Sequence, residues 1–223
     1  MNPPRPGDAP DAPLLVLGTT NRHKLAELAA LLAPHAIRCA GLHDLPGAVD
    51  VEETGDTFAA NAALKASQQA RALDAWVLAE DSGLVVPALD GEPGVLSARY
   101  SGPVPPGATG STDERNNDKL LARLANLPPP DRVAHYACHA ALADPAGRVV
   151  AVAEGRCHGF IAAARQGRGG FGYDPLFVVA EYHRTFGELP AAVKALISHR
   201  ARAIRGILPA IVRHLGAGLT PPR

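Results

Sequence analysis

The sequence predicts an α/β or α+β fold that is built around a mixed β-sheet. Short apolar runs typical of buried strands occur between segments that have the apolar periodicity of helices. Strands and helices do not alternate strictly along the chain, so the sheet is expected to be mixed rather than purely parallel. Segments 133–142 and 149–157 alternate in hydrophobicity on either side of the turn-forming segment 144–147, which predicts an antiparallel hairpin.

The other elements are predicted from apolar periodicity and from the residues that begin and end helices. Pro34 ends the first helix, and Asp56 or Thr57 can cap the second. Pro209 and segment 198–200 are expected to interrupt the last helical segment. In order, the predicted elements are strand 14–17, helix 23–32, helix 56–73, strands 76–78 and 84–89, helix 113–127, the hairpin strands, strand 175–179 and the helical segment 191–215.

The composition of the chain argues against several classes of function. The 22 Lys and Arg residues equal the 22 Asp and Glu residues, so no overall positive charge is available to hold nucleic acid. Cys39, Cys138 and Cys157 have no C-x-x-C spacing, which argues against a zinc site and favours a reducing cytoplasm. No apolar run is long enough to span a membrane, and no signal peptide is recognisable. Segment 1–13, with five prolines, and segment 216–223 are predicted to be tails.

The most informative segment is Ala79-Glu80-Asp81-Ser82-Gly83, which follows one apolar run and leads into another. A buried carboxylate is unfavourable unless it is paired or binds a metal. Mg²⁺ takes oxygen ligands and often bridges one or two carboxylates to substrate phosphates. The segment therefore predicts a metal and general-base site at the end of a strand, formed by Glu80 and Asp81. The structural alternative is a turn that an Asp caps and in which Gly supplies a positive φ angle.

Two further segments can supply polar groups near those acids. Thr19-Thr20-Asn21-Arg22-His23-Lys24 lies between a strand and a helix, where it can bind an anion or serve as an ordinary helix cap. Glu52 or Glu53 can supply a second carboxylate for Mg²⁺, although acids before a helix also complement its dipole. Asn61 and Lys65 lie one and two turns into that helix, on a face that could look back at the same pocket.

A glycine-rich segment, Gly169-Gly170-Phe171-Gly172-Tyr173-Asp174-Pro175, contains two of the few aromatic residues of the chain. Glycine permits close approach of the backbone to a ligand, and an exposed aromatic ring can stack on a base. The structural alternative is a tight turn whose aromatic rings fill the core. Lys194 and the His199-Arg200 pair can close a nucleotide site, whereas such a pair at a helix end is usually a solvated cap.

Together with Pro93–Tyr100 and Asn116–Leu121, these segments form a set of seven whose order resembles the inosine triphosphate pyrophosphatase family. The resemblance runs from about Leu14 to Leu215. It implies an α/β fold with an elongated mixed β-sheet and flanking helices in two lobes, forming a single domain over 14–215. It also implies a homodimer and a Mg²⁺-dependent cleavage of dITP, ITP and XTP to the nucleoside monophosphate and pyrophosphate, with Mn²⁺ able to substitute.

The resemblance assigns a role to each candidate residue, with Asp81 as the catalytic base that activates water. The implied metal ligands are Glu52, Asp81 and Glu80, and the supporting candidates are Glu53, Asn61 and Lys65. The implied substrate-binding residues are Thr19, Thr20, Asn21, Arg22, His23, Lys24, Ser82, Phe171, Gly172, Tyr173, Asp174, Lys194, His199 and Arg200. Thr20 and His23 replace glycines that the family's first loop more often carries, and Glu80 replaces an Asp.

Two other functions stay open on the sequence alone. A related pyrophosphatase for modified or pyrimidine nucleotides is disfavoured by the segments around Phe171 and His199-Arg200. A non-catalytic nucleotide-binding regulator is disfavoured by Asp81 and Glu52, because a pure binder gains little from negative charge beside a triphosphate. The expected partners are a purine nucleoside triphosphate and a second copy of the chain in the cytoplasm, without nucleic acid or membrane.

Overall fold

The computed structural model describes residues 14–35, 37–104, 107 and 109–216. The predicted tail 1–13, and all of the predicted tail 216–223 except Gly216, lie outside these residues. Within the described ranges, none of the helices combines the length and the apolar character that crossing a membrane requires.

The described residues contain one mixed β-sheet. Its strands are β1 (Leu15–Leu17), β2 (Cys39–Gly41), β3 (Trp76–Val85), β4 (Val133–Ala143), β5 (Val149–Ile161), β6 (Phe177–Val179) and β7 (Arg184–Thr185). The spatial order is β2-β1-β3-β4-β5-β6-β7. β1 pairs in parallel with β2 and β3, whereas β6 pairs antiparallel with β5 and β7. The predicted mixed sheet is therefore confirmed.

Five α-helices accompany the sheet in the described part of the chain. They are α1 (Arg22–Leu32), α2 (Phe58–Leu73), α3 (Thr112–Arg123), α4 (Ala191–Ile197) and α5 (His199–Leu215). The side chain of Thr57 accepts a hydrogen bond from the backbone N–H of Ala60 and so caps α2, as predicted. α3 begins with a capping box in which Ser111 and Glu114 satisfy each other's backbone N–H groups.

β3 differs from the prediction because it runs without a break through the acidic segment. Ser82 and Gly83 indicate a turn when they are considered locally, and the two short strands predicted around them were a wrong division of one strand. The predicted strand 84–89 ends at Val85, and a short 3-10 helix over Pro87–Leu89 follows, because proline cannot donate to a sheet. Glu80 and Asp81 therefore lie within a strand and not at its end.

α5 also differs from the prediction. It continues through Pro209 to Leu215, although an interruption was expected there. A proline removes one helical hydrogen bond and crowds the preceding turn, but the side chains of Ile207 and Ile211 are buried on both sides of it and favour the continuous helix. The other expected interruption is confirmed, since Ser198 separates α4 from α5 with an extended ψ angle of 159°.

The chain divides into two compact units. Unit 1 takes in the described residues up to Asp81, His139–Gly155 and those from Arg202 onward, and unit 2 takes in Ser82–Cys138 and Arg156–Ala201. Each unit has a buried apolar cluster of its own. The cluster of unit 1 includes Val16, Ala62 and Val77, and the cluster of unit 2 includes Leu84, Leu120 and Phe177.

Candidate functional site

The two acids of β3 are buried and have cationic or polar partners from different helices. Glu80 is 1% exposed and Asp81 is 6% exposed. Consecutive residues of a strand point to opposite faces of the sheet, and their partners differ accordingly. Glu80 Oε1 lies 3.1 Å from Nζ of Lys24 on α1, whereas Asp81 contacts Asn61 and Lys65 of α2. Burial of both carboxylates is thus compensated by specific partners.

Asp81 is held by two side chains that lie one helical turn apart on α2. Lys65 Nζ donates to Oδ1 at 3.2 Å, and Asn61 Nδ2 donates to Oδ2 at 3.2 Å. Oδ1 of Asn61 in turn accepts from the backbone N–H of Gly55 at 2.8 Å. A Cβ atom at position 55 would lie 2.7 Å from that same Oδ1, so glycine is required for this approach. The Asp81 carboxylate is therefore oriented at both oxygens.

The protonation of this pair is shifted by its surroundings. Burial raises the pKa of Asp81 above 3.8, while the positive charges of Lys65 and Lys24 act against that rise. Burial would lower the pKa of Lys65, but the carboxylates of Asp81, Glu80 and Glu53 outweigh it and raise the pKa. A carboxyl group with a raised pKa beside a lysine that stays protonated is typical of a general base.

The acidic segment before α2 contributes Glu53 to this cluster. Glu53 Oε1 accepts from Lys65 Nζ at 2.8 Å, so the ammonium lies between Glu53 and Asp81. Glu52 precedes it with an exposed side chain. The residues alone left Glu52 and Glu53 both open and the family resemblance implied Glu52, whereas in the structure Glu53 is the acid that shares Lys65 with Asp81.

Unit 1 contains carboxylate oxygens of the kind that hard divalent cations take as ligands. Carboxylate oxygens of Glu53 and Asp81 both lie within 3.2 Å of Lys65 Nζ, so the ammonium group of Lys65 bridges the two acids. In the part of the chain that the structure describes, no group of three or more His, Cys, Asp or Glu residues is arranged to hold a metal. Mg²⁺ commonly takes one or two carboxylates and completes its shell with water and phosphate oxygens.

The loop before α1 forms the expected helix cap. Asn21 Oδ1 accepts from the N–H groups of His23 at 2.9 Å and Lys24 at 3.2 Å. Thr19 Oγ1 accepts from the N–H of Asn21 at 3.2 Å, and the carbonyl of Thr20 contacts His43 Nε2 at 3.1 Å. The capping interpretation is thus confirmed. Thr20, Arg22 and His23 of this segment are exposed to solvent.

Unit 2 brings together an aromatic ring and two cations. The ring of the half-buried Phe171 lies 4.6 Å from Lys194 Nζ and 5.8 Å from Arg200 Cζ, measured to the ring centroid. Lys194 Nζ donates to Oδ2 of Asp174 at 2.5 Å. Arg200, which is 1% exposed, donates from Nη2 to Oγ of Ser82 at 3.0 Å. Five of the predicted substrate-binding residues therefore form one connected group.

Two other predicted substrate-binding residues are packed into the core of unit 2. Tyr173 is 3% exposed and donates its hydroxyl to the carbonyl of Ser97 at 2.8 Å. The ring of His199 is stacked on Tyr136 at 4.6 Å between centroids, with 10° between the ring planes. Tyr136 was missed in the sequence, where nothing links a residue of β4 to the start of α5.

Sequence reasoning also missed a contact between α3 and the glycine-rich loop. The N–H of Gly172 donates to Oδ2 of Asp113 at 2.7 Å, and the carbonyl of Gly172 accepts from Nδ2 of Asn117 at 2.9 Å. The spacing of Asp113 and Asn117, four residues apart on one helix face, is a signal in the sequence that could have drawn attention to them.

Comparison with known proteins gives a consistent result. Residues 15–210 match the model of the Ham1 family. The chain is 52% identical over 199 residues to a dITP/XTP pyrophosphatase of Rhodopirellula baltica, covering 89% of this chain and 93% of that protein. It is 48% identical over 190 residues to a protein of the same name from Geobacillus kaustophilus, covering 85% and 90%.

Solved structures resemble the chain over a similar extent. The Ham1 protein of Staphylococcus aureus aligns with a TM-score of 0.75 at 38% identity, covering 90% of this chain and 98% of that one. A HAM1 protein from Coxiella burnetii aligns with a TM-score of 0.78 at 35% identity, covering 90% and 99%.

Proposed function

The chain belongs to the Ham1 family, and from that premise we propose that it hydrolyses non-standard purine nucleoside triphosphates. The substrates are dITP, ITP and XTP, and the products are the nucleoside monophosphate and pyrophosphate. The family resemblance inferred from the sequence motifs is confirmed by the match over residues 15–210. The names of the relatives, dITP/XTP pyrophosphatases, support the substrate class.

The observation that carries this proposal is the environment of Asp81. An ionised carboxylate offers about four acceptor sites, and Lys65 and Asn61 occupy one on each oxygen. Asp81 therefore keeps capacity to accept a proton from a water molecule that attacks the triphosphate. Its raised pKa makes it a stronger base than an ordinary aspartate, while the positive charge of Lys65 favours its ionised form.

We assign the metal to Glu53 and Asp81, with Glu52 and Glu80 as the other acids that the family resemblance implies. When bound, Mg²⁺ or Mn²⁺ would neutralise phosphate charge and polarise the scissile bond. Lys65 lies between Glu53 and Asp81, and its positive charge can also stabilise phosphate oxygens. Lys24, which is paired with Glu80, supplies a second positive charge in unit 1.

We assign the base to the group around Phe171 in unit 2. The ring offers a face for stacking, and stacking accepts every base because every base has a π-face. Discrimination must therefore come from hydrogen bonds. Lys194 and Arg200 carry only donors, which suit a 6-oxo acceptor better than the 6-amino group of adenine, itself a donor.

We further propose that the enzyme is a cytoplasmic homodimer. No disulfide joins the cysteines among the described residues, which is compatible with a reducing compartment. The homodimer rests on the family resemblance inferred from the sequence.

Pyrophosphate release across a nucleotide panel tests the proposal. We expect rapid release from dITP, ITP and XTP and slow release from ATP and the pyrimidine nucleotides. Preferential hydrolysis of a pyrimidine or methylated nucleotide would overturn the substrate assignment. Tight binding of ITP without product would show a nucleotide-binding regulator instead. Release of phosphate rather than pyrophosphate would overturn the assigned bond cleavage.

A further inference from the structure

The backbone N–H and C=O groups of Phe171 and Gly172 are all hydrogen-bonded, three of them to side chains. Oδ2 of Asp174 accepts from the N–H of Phe171 at 2.8 Å, and the carbonyl of Phe171 accepts from the N–H of Asp174 at 3.2 Å. Asp113 accepts from the N–H of Gly172 and Asn117 donates to its carbonyl. Every backbone donor and acceptor of these two loop residues thus has a partner, although the loop is not part of a helix or strand.

The two contacts from α3 are close and partly buried. Asn117 is 3% exposed, and its Nδ2 lies 2.9 Å from the Gly172 carbonyl. The Asp113 carboxylate lies 2.7 Å from the Gly172 N–H, which is typical of a charge-assisted hydrogen bond. Gly172 has a φ angle of +61°, a backbone conformation that most other residues avoid. α3 therefore fixes one specific and unusual peptide conformation.

This conformation sets the position of the Phe171 ring. The ring lies against Lys194 and Arg200, and Asp174 connects the loop backbone to Lys194. A loop that is already ordered before its ligand binds loses less conformational entropy on binding. Release of the Gly172 peptide would let Phe171 sample other positions and would raise the free-energy cost of stacking a base on it.

We propose that Asp113 and Asn117 are positioning residues for the purine base, acting through the Gly172 peptide on Phe171. This inference rests on the proposed function, because it assigns base binding to the Phe171 group. It adds two residues of α3 to which the sequence analysis gave no role. They act without touching the reacting atoms.

Single variants separate positioning from general stability. Asn117→Ala and Asp113→Ala each remove one contact with Gly172, and we expect each to raise KM for ITP about five- to tenfold. kcat should change less than twofold, since the catalytic base at Asp81 is intact. Asp113→Asn keeps an oxygen acceptor, so its KM for ITP should stay within about twofold of the wild-type value. Asp118→Ala, which removes an exposed acid of α3 that pairs with Arg165, is the matched control.

A double-mutant cycle links the effect to the ring. In a Phe171→Ala background, Asn117→Ala should raise KM by less than twofold, because the group that it positions is already absent. An equal KM increase with and without the ring would overturn the positioning role. The positioning role would also be overturned if kcat decreased by the same factor as kcat/KM.

Amide hydrogen exchange of the nucleotide-free protein gives a readout that does not depend on the substrate. Asp113→Ala and Asn117→Ala should speed exchange at Phe171 and Gly172 about tenfold, with α3 still protected. If the wild type fails to hydrolyse ITP, the proposed function fails, and exchange alone then decides whether α3 holds the loop. Unchanged exchange in both variants would overturn the inference even if ITP is hydrolysed.

Discussion

Lys65 Nζ lies 3.2 Å from Oδ1 of Asp81 within a strand-and-helix cluster that excludes most solvent. The relationship has two consequences for chemistry. The ammonium favours the ionised carboxylate, which a general base requires, while burial raises the carboxyl pKa and so its basicity. The same ammonium also pairs with Glu53, so one positive charge connects the two acids.

We predict that Asp81→Asn lowers kcat by about a hundred- to ten-thousand-fold while the protein stays folded. The reason is the loss of the group that accepts the proton, since a general base contributes about that much. Steady-state pyrophosphate release measures the effect, and thermal unfolding checks the fold. Asp56→Asn, at an exposed acid before α2, is the matched control and should keep full activity. Near-normal turnover in folded Asp81→Asn protein would contradict the assignment.

The acid limb of the pH profile of kcat/KM should lie above pH 3.8, because the pKa of Asp81 is raised. Removal of the nearest positive charge in Lys65→Met should move that limb to still higher pH, since burial then acts with less opposition. Lys65→Arg retains the charge and should leave the limb within about half a pH unit of the wild type. An unmoved limb in Lys65→Met would show that the observed titration belongs to another group.

The same shift predicts how stability depends on pH. Since the folded protein binds the Asp81 proton more tightly than the unfolded chain, this carboxyl contributes stability at low pH that is lost as pH rises from about 3.8 through the raised pKa. Asp81→Asn removes this titration. Its free energy of unfolding should therefore fall less than that of the wild type over the same pH range, as measured by urea denaturation.

The acid pair and the order of the motif segments could be predicted from the sequence, because residues of these types in this order indicate a function before their positions in the fold are known. It divided β3 into two strands because Ser82-Gly83 favours a turn locally, whereas pairing across the sheet decides the conformation. The choice between Glu52 and Glu53 depends on which side chain faces α2, which sequence spacing in a loop does not reveal. The contact of Asp113 with Gly172 joins residues 59 positions apart, and such contacts follow from the fold.

Activity should require Mg²⁺ or Mn²⁺ and should disappear in excess EDTA, because the acids of unit 1 offer only hard oxygen ligands. Glu53→Gln should raise the Mg²⁺ concentration for half-maximal activity about tenfold, since Glu53 lies beside Asp81 across Lys65. Glu52→Gln is the matched comparison at an exposed neighbour. A larger increase in the Mg²⁺ requirement for Glu52→Gln than for Glu53→Gln would assign the metal to Glu52, the acid that the family resemblance implies. Full activity in EDTA would exclude the metal.

The last prediction concerns the choice of base. Arg200 lies near the Phe171 ring, and its Nη2 donates to Ser82. If Arg200 recognises a 6-oxo group, Arg200→Ala should lower kcat/KM for ITP by about a hundredfold and narrow the ITP/ATP ratio, because ATP gains nothing from that donor. Phe171→Ala should weaken ITP and ATP by similar factors, since stacking is tolerant of the base.

Arg200 is almost fully buried, so its removal also leaves an unfilled space. Arg200→Lys, which retains a positive charge without the planar fork of donors, separates the two effects. Arg200→Lys should keep most of the free energy of unfolding. It should still narrow the ratio of kcat/KM for ITP to kcat/KM for ATP. A ratio that is unchanged in both Arg200 variants would show that Arg200 serves the phosphates, because a phosphate contact lowers kcat/KM for both nucleotides by the same factor.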